Sequence, residues 1–308
     1  MESSISQEIP RRKNMKSGNL LLLMLLPLML IVLLFSYVPL FGWIYSMFEY
    51  VPGVAIPDST FVGLEYFKMI FNDANVWRTL GNTLIFAIIS ILISPLPMLF
   101  AIFLNEVNHS KARRFIQTFT TLPNFISWVI IFSLAMALFA SDGLATDFLT
   151  KIGLLNDSNS LLTSDSAVYW FQTFLSQWKM LGWNSIIYMA AITGIDQELY
   201  EAANVDGAGS FKCAVHITLP ALMETYIVLF IMNIGNFLNT GYEQYMLFKN
   251  SLVADKIEVL DLYVYRIGLE NMDYSYGVAI GIVKSLVSIV LVVLANLAAK
   301  KIRGRSIF

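Results

Sequence analysis

The chain has 308 residues, 57% of them apolar and only 14% charged, with a formal net charge of −2. A soluble domain carries closer to a quarter charged residues, so this composition excludes an ordinary water-soluble globule and predicts a multi-spanning membrane protein. The near-neutral charge argues against a nucleic-acid partner, and the single cysteine, Cys213, excludes an intrachain disulfide.

Residues 1–19 form a polar tail with Arg11, Arg12, Lys13 and Lys16. Residues 20–42 are almost purely apolar and long enough to cross a bilayer, which takes about 20 residues. The run continues through Tyr37 to Phe41 with no small-residue cleavage site, so a retained helix is predicted rather than a signal peptide. An outside loop is predicted over 43–79 and a second span over 80–104, where Pro95 and Pro97 predict a kink. A short basic loop with Lys111, Arg113 and Arg114 precedes a third span, 116–140, with Pro123 near its start.

The loop 141–169 holds Asp142, Asp147, Asp157 and Asp165 against Lys151 alone. A fourth span, 170–195, is polar in its middle. A polar stretch follows at 196–220, then a fifth span at 219–239, a third outside loop at 241–275 and a last span at 276–299. The tail 300–308 carries Lys300, Lys301, Arg303 and Arg305. Lys and Arg concentrate in the two tails and the 105–115 loop, which predicts six transmembrane helices with both termini cytoplasmic. The architecture is therefore all-α, with a transmembrane domain over 20–299 between two basic tails.

The polar stretch reads as a bracket of two short helices. Tyr200, Glu201, Ala202 and Ala203 favour a helix, Asp196 can cap it, and Asp206–Gly207 reads as a turn. Ser210 is the expected cap of a second helix, 211–217, and Pro220 suits a helix's first turn. Several polar residues fall within or near the spans: Asn82, Gln177, Lys179, Asn184, Tyr188, Asn233, Asn236, Asn239 and Lys284. Such groups are costly in hydrocarbon unless paired. Asn233 and Asn236 lie close to one helix face, with Gly235 beside them leaving space for a ligand or a neighbouring helix. This stripe either lines a polar pathway or binds neighbouring helices together. Lys284 has three readings: counter-ion to a carboxylate on a neighbouring element, contact for an anionic substrate, or a side chain that snorkels to the interface.

No GxxxxGK[ST], GxSxG, HExxH or CxxC occurs, so no catalytic constellation or nucleotide site is legible. His109 and His216 are far apart in sequence, so no metal site and no cofactor are expected.

Glu201-Ala202-Ala203, Gly207, Ile217, Leu219 and Pro220 match the spacing of the motif EAA-x3-G-x9-I-x-L-P, and Asp206-Gly207-Ala208 fits its carbohydrate-importer form. The chain thus resembles the membrane subunits of binding-protein-dependent ABC importers, with the flavour of LplB-like polysaccharide permeases. Trp178-Lys179 with Gly182, and 62–67 in the first loop, are similar to that pattern too. The resemblance implies a type I importer permease fold. It implies a second homologous permease, a cytoplasmic ATPase dimer, an extracellular solute-binding protein and a carbohydrate substrate. It places ATPase coupling on Glu201, Ala202, Ala203, Asp206, Gly207, Ala208, Ile217, Leu219 and Pro220, and makes the chain a transport subunit rather than an enzyme. For the substrate pathway the candidates are Asn184, Tyr188, Asn233, Asn236 and Lys284. The alternative is a stand-alone secondary transporter or channel, which should carry a coupling carboxylate in mid-membrane. Glu224 lies too near the inner end of its span to serve.

Overall fold

A helix satisfies its internal backbone groups without water, so apolar runs of this length are helical. The computed structural model describes residues 17–153 and 161–303; Arg11, Arg12, Lys13, Lys16, Asp157 and Arg305 lie outside the described residues. Helix α1, Ser17–Val32, runs on through a π turn, Leu33–Tyr37, and a 3-10 segment, Val38–Met47. None of its apolar core is buried in the chain's own fold. A minimal antiparallel pair follows, β1 Phe48–Glu49 against β2 Thr60–Phe61, with Phe48 opposite Phe61.

Helix α2, Glu65–Asn72, leads into α3, Ala74–Leu92, whose first turn is capped by the Asp73 carboxylate accepting from the Asn75 N–H at 2.8 Å. The expected kink is present: the helix breaks at 93–95 and resumes as α4, Leu96–Asn105, with Pro97 in its first turn. The third span departs from expectation. Instead of one helix over 116–140, α5 (Ser110–Thr121) ends in a 3-10 turn, Leu122–Phe125, and α6 (Trp128–Phe139) restarts with Ser127 as its cap. Pro123 cannot donate within a continuing helix, which ends α5 there. A short α7, Leu144–Lys151, follows.

Helix α8, Val168–Thr193, is long enough to span. The bracket comprises α9, Gln197–Val205, and α10, Ser210–Cys213. The latter runs through a π segment, Ala214–Thr218, into α11, Leu219–Gly235, so the predicted second bracket helix is the root of the next span. Its cap is Gly209, not Ser210. Helix α11 stops at Gly235, four residues short of the predicted end.

Among the described residues, five helical stretches are long and apolar enough to cross a membrane: Leu21–Met47, Ala74–Asn105, Trp128–Lys151, Ser210–Gly235 and Tyr274–Leu297. The sixth, α8, is absent from that set for its composition, not its length. Its Gln172, Gln177, Lys179 and Asn184 lower its hydropathy, and Gln172 and Lys179 are buried in protein rather than facing lipid.

The region 241–275 is the largest correction. It is not an open loop but three short helices, α12 Glu243–Phe248, α13 Ala254–Ile257 and α14 Leu260–Tyr265, and a π turn, Arg266–Glu270, before α15, Tyr274–Arg303. Tyr245, Phe248, Val253, Ile257 and Val259 pack with Phe86 of α3, Ala135 of α6 and Phe171 of α8. Leu260 and Tyr263 close a second cluster with Val76, Tyr276 and Ile280. A third joins Met98 and Leu104 of α4 to Tyr188 and Ile192 of α8 and Leu222 of α11.

Glu258 sits at the centre of this region, 2% exposed. Its carboxylate accepts from Arg78 of α3 at 3.0 Å, from Lys249 at 2.9 Å and from Arg266 at 2.9 Å, and Arg78 also pairs with Asp255. Asn82 binds the same region to α3. Its amide donates to the carbonyls of Asp255 and Glu258 at 2.7 and 3.0 Å, and its oxygen accepts from Tyr169 at 2.7 Å. Asn82 is therefore glue between elements.

Burial raises the Glu258 carboxyl, but hydrogen bonds and charge from Lys249 and Arg266 outweigh it and hold the group below its ordinary value of 4.5. A depressed carboxyl contributes stability that is present above its unfolded value and lost as pH falls through the folded value. Replacing Glu258 by Gln leaves three partly exposed cations without their buried carboxylate, so it should destabilise by about 1–3 kcal/mol. It should also remove the Glu258 share of the loss below pH 4.5. Thermal unfolding in detergent, across pH, checks both; an unshifted Glu258→Gln protein would refute the pinning role.

Candidate functional site

Two features stand out: a cavity between helices lined by both polar and apolar side chains, and an exposed bracket joining two of them. The cavity has a volume of about 480 Å³, within the usual range for small-molecule sites. One wall is α3 and α4, with Phe86, Ser90, Ser94 and Pro97. A second is α8, with Ser176, Gln177, Asn184 and Tyr188, and a third is the end of α11 and the turn beyond it, with Asn233, Asn236, Asn239 and Thr240. Tyr245 of α12 completes the lining. The structure thus brings together Asn184, Tyr188, Asn233 and Asn236.

It does not bring Lys284 there. Lys284 of α15 is ion-paired with Asp261 of α14, both mostly buried, and the other Asp261 oxygen accepts from the Gly241 N–H at 2.9 Å. The counter-ion reading of Lys284 therefore holds. Asn236 and Asn239 also sit differently from expectation. They lie in the turn after α11, where Asn236 caps the helix and donates to the Met232 carbonyl at 3.2 Å. The space beside Gly235 belongs to a neighbouring helix, since a Cβ there would come within 2.9 Å of Val292 on α15.

Helix α8 is held in place at two points. Lys179 is buried and donates to the carbonyls of Pro123 and Asn124, at 3.2 and 3.1 Å, and of Ile126. These are carbonyls of the α5–α6 break, so the lysine replaces the helical donors that the break removes. Its ammonium also lies 5.5 Å from the centre of the Trp128 ring, a cation–π contact. At Gly182, α8 approaches the end of α5 so closely that a Cβ would run into the Thr120 backbone. The Trp178-Lys179…Gly182 pattern is thus a device that seats α8 against the break. Gln177 also lines the cavity, although the sequence marks it only as one more intramembrane polar group; its Oε1 is buried and has no hydrogen-bond partner.

The bracket is built as its sequence directs. Asp196 caps α9, accepting from the Glu198 N–H at 3.0 Å. At the other end Gly207 adopts φ +76°. The Ala208 N–H bonds to the Ala203 carbonyl at 2.9 Å, and the Gly207 N–H to the Asn204 carbonyl at 3.1 Å. This pair of bonds is a Schellman cap, which calls for a left-handed residue where Gly207 stands. Glu201 and Ala202 are exposed and Ala203 and Ala208 half-buried. Around them Leu199, Val205 and Phe211 are exposed, the last two at 89% and 81%. Ile217 and Leu219 are half-buried at the root of α11, and Pro220 is exposed in its first turn. Tyr200 ties the bracket to that root through a 2.8 Å bond with buried Thr218. Cys213 is buried, which makes it a poor labelling site.

A bundle of spanning helices with an internal polar cavity and an exposed bracket has the build of a membrane transport subunit. Residues 94–304 match the family described as the binding-protein-dependent transport system inner membrane component, and the chain belongs to that family. It is 39% identical over 298 residues to the Bacillus subtilis strain 168 protein LplB, covering 96% of this chain and 92% of that one. It is 39% identical over 301 residues to the polygalacturonan/rhamnogalacturonan transport system permease protein YteP of the same organism, covering 94% and 90%. Among solved structures, it is similar to a chain of a bacterial alginate ABC transporter in complex with an alginate pentasaccharide-bound periplasmic protein. The TM-score there is 0.83, with 32% identity, over 94% of this chain and 97% of that one.

Gly182→Ala should force α8 from α5, because the atoms in the way are backbone and cannot rotate aside. A loss of about 1–3 kcal/mol is expected. Gly81→Ala, with open space around it, should be near neutral. Thermal unfolding of the two variants side by side checks the assignment; equal melting temperatures would refute it.

Proposed function

We propose that the chain is the permease subunit of an ATP-driven importer for carbohydrate, an oligosaccharide or a segment of a polysaccharide. In this reading it takes substrate from an extracellular solute-binding protein and works beside a second homologous permease and a cytoplasmic ATPase dimer. One observation carries the reading: the bracket joins α8 to α11, which together with the turn following α11 supply most of the polar lining of the cavity. Asn184 lies about 14 Å along α8 from the bracket and Asn233 about 21 Å along α11. A push on the bracket therefore tilts two cavity walls at once, which is the shear and rocking expected of alternating access.

Glu201 is the proposed anchor, an exposed carboxylate able to make a charge-assisted bond to a partner Arg or Lys. Ala202 and Ala203 allow close approach, and the Asp206-Gly207-Ala208 cap fixes the turn. The names of the relatives support carbohydrate: besides those given, a Bacillus subtilis protein 31% identical over 283 residues is an arabinooligosaccharides permease. Amides and hydroxyls of the cavity suit a polyhydroxy ligand, since amides both donate and accept. The alternative, a stand-alone secondary transporter, requires a carboxylate in the pathway, and among the described residues none lines the cavity.

Coupling has a direct test. Gly207→Pro is incompatible with φ +76° and deletes the N–H that bonds Asn204; Glu201→Ala removes the anchor. Both variants should insert normally, yet retain less ATPase in pull-downs and lose substrate-stimulated hydrolysis. Wild-type retention and stimulation in Gly207→Pro would sink the bracket's role.

Orientation follows from the basic segments and is tested by labelling in a Cys213→Ala background. A cysteine at exposed Val205 should react with a membrane-impermeant thiol reagent only in broken cells or inside-out vesicles. A cysteine at exposed Ser166 should react in intact cells. The reverse pattern would put the bracket outside and remove it from any cytoplasmic ATPase.

A further inference from the structure

The cavity narrows to a floor on the side of the bracket. Ser90 and Ser94 line it on the α3 side, Asn184 and Tyr188 on α8, and Leu229 and Asn233 on α11. Towards the bracket the same elements close up. Met98 and Leu104 of α4, Met189 and Ile192 of α8 and Leu222 of α11 are buried together, with Tyr226 and Leu229 packed against them. A polar bond crosses this floor: the hydroxyls of Ser94 and Tyr226 lie 2.9 Å apart.

The two ends of that bond belong to different bodies. Ser94 sits in the break at 93–95, where Pro95 and Pro97 supply no N–H. The chain turns there on short-range bonds, the Ser94 N–H to the Ile91 carbonyl and the Leu96 N–H to the Ile93 carbonyl, both at 3.0–3.1 Å. Outward of the break α3 is tied to the Glu258 network, and inward of it α4 is packed on α8. Such a break is the kind of hinge that absorbs a change of helix direction. Tyr226 sits on α11, which grows out of the bracket through the π segment, about 10 Å along the helix from Leu219. A tilt of α11 against α4 parts the two hydroxyls within roughly 1 Å of travel, because a hydrogen bond is directional and short. The apolar contacts around it are non-directional and tolerate sliding. The bond is therefore the element of the floor that is either made or broken.

We propose that Ser94 and Tyr226 form the latch of an inner gate: the bond holds α11 against the α3–α4 break, and its parting, driven from the bracket, opens the cavity towards the bracket side. Both are positioning residues that act through the bond between them. The inference rests on the permease reading with the bracket as the moving end, and adds the contact that the movement breaks.

The test uses the assembled importer, both permeases with the ATPase dimer, in membrane vesicles of either orientation. This chain carries Cys213→Ala and the reporter Ser90→Cys, one turn outward of Ser94 on the cavity wall. The probe is a small, charged, membrane-impermeant methanethiosulfonate, and its reaction with this chain is followed by mass, from the bracket side and from the opposite side. Tyr226→Phe and Ser94→Ala each delete one hydroxyl. Each should raise the bracket-side rate about fivefold, the effect of one hydrogen bond on a two-state equilibrium, and leave the opposite-side rate unraised. The double variant should rise no further than a single one, since both changes remove the same bond. Unchanged rates in the single variants would overturn the latch. So would a rise from the opposite side, alone or with the bracket side, which marks general loosening, and so would additive rises in the double variant. Either single variant decides where the other does not assemble. No sugar enters the measurement, so the carbohydrate reading stands apart from its outcome, and the bracket's role is judged by the coupling test.

Discussion

In hydrocarbon a polar group has no water to fall back on, and every buried donor and acceptor has to find its partner within the protein. That constraint organises this chain. Its polar residues are gathered in a few places: the Glu258 network, the α5–α6 break, and the cavity. In the first two most groups are matched, Arg78 Nε being a buried donor without a partner. Glu258 takes three cations, Asn82 closes two backbone carbonyls, and Lys179 closes three. In the cavity the match is incomplete, with Gln177 Oε1 left open.

The region 241–275 links these places. It contributes Tyr245 to the cavity lining, Asp261 to Lys284, and the Glu258 cluster to α3. A segment of this kind closes the bundle at one end of α11, while the bracket extends from the other. The cavity therefore lies between a part tied down by buried ion pairs and a part attached through one short helix and the Tyr200–Thr218 bond. Fewer packed contacts and more exposed surface make the second end the one able to move.

Helix α8 shows how one sequence serves both demands. Its polar residues cost it the hydropathy of a simple span, yet each has a defined use. Lys179 and Gly182 seat the helix against the α5 end, Gln172 meets Gln244 of α12 through its side-chain oxygen and backbone carbonyl at 2.8 and 2.9 Å, and Gln177 and Asn184 face the cavity. A more apolar helix would span as well but would neither lock the break nor present amides to the cavity.

Sequence alone determined whatever depends on local chemistry. Long apolar runs gave the spanning helices, Pro95 and Pro97 the break after α3, Asp196 the cap of α9, and the Glu201–Pro220 spacing the bracket. These follow because a helix, a cap or a turn is decided by residues within a few positions of one another. The pairing of Asn184 and Tyr188 with Asn233 and Asn236 across one cavity was legible as a set of intramembrane polar groups, though not as a shared wall. Tertiary structure decided the rest. It turned 241–275 from a loop into part of the core, stopped α11 at Gly235 and gave Lys284 to Asp261. Each of these is fixed by contacts between residues far apart in the chain, in several cases more than a hundred positions, whose partners no local pattern can name. Burial of a charge beside its counter-ions is favourable only once those elements have met, and so it is written in the packing rather than in any one stretch of sequence.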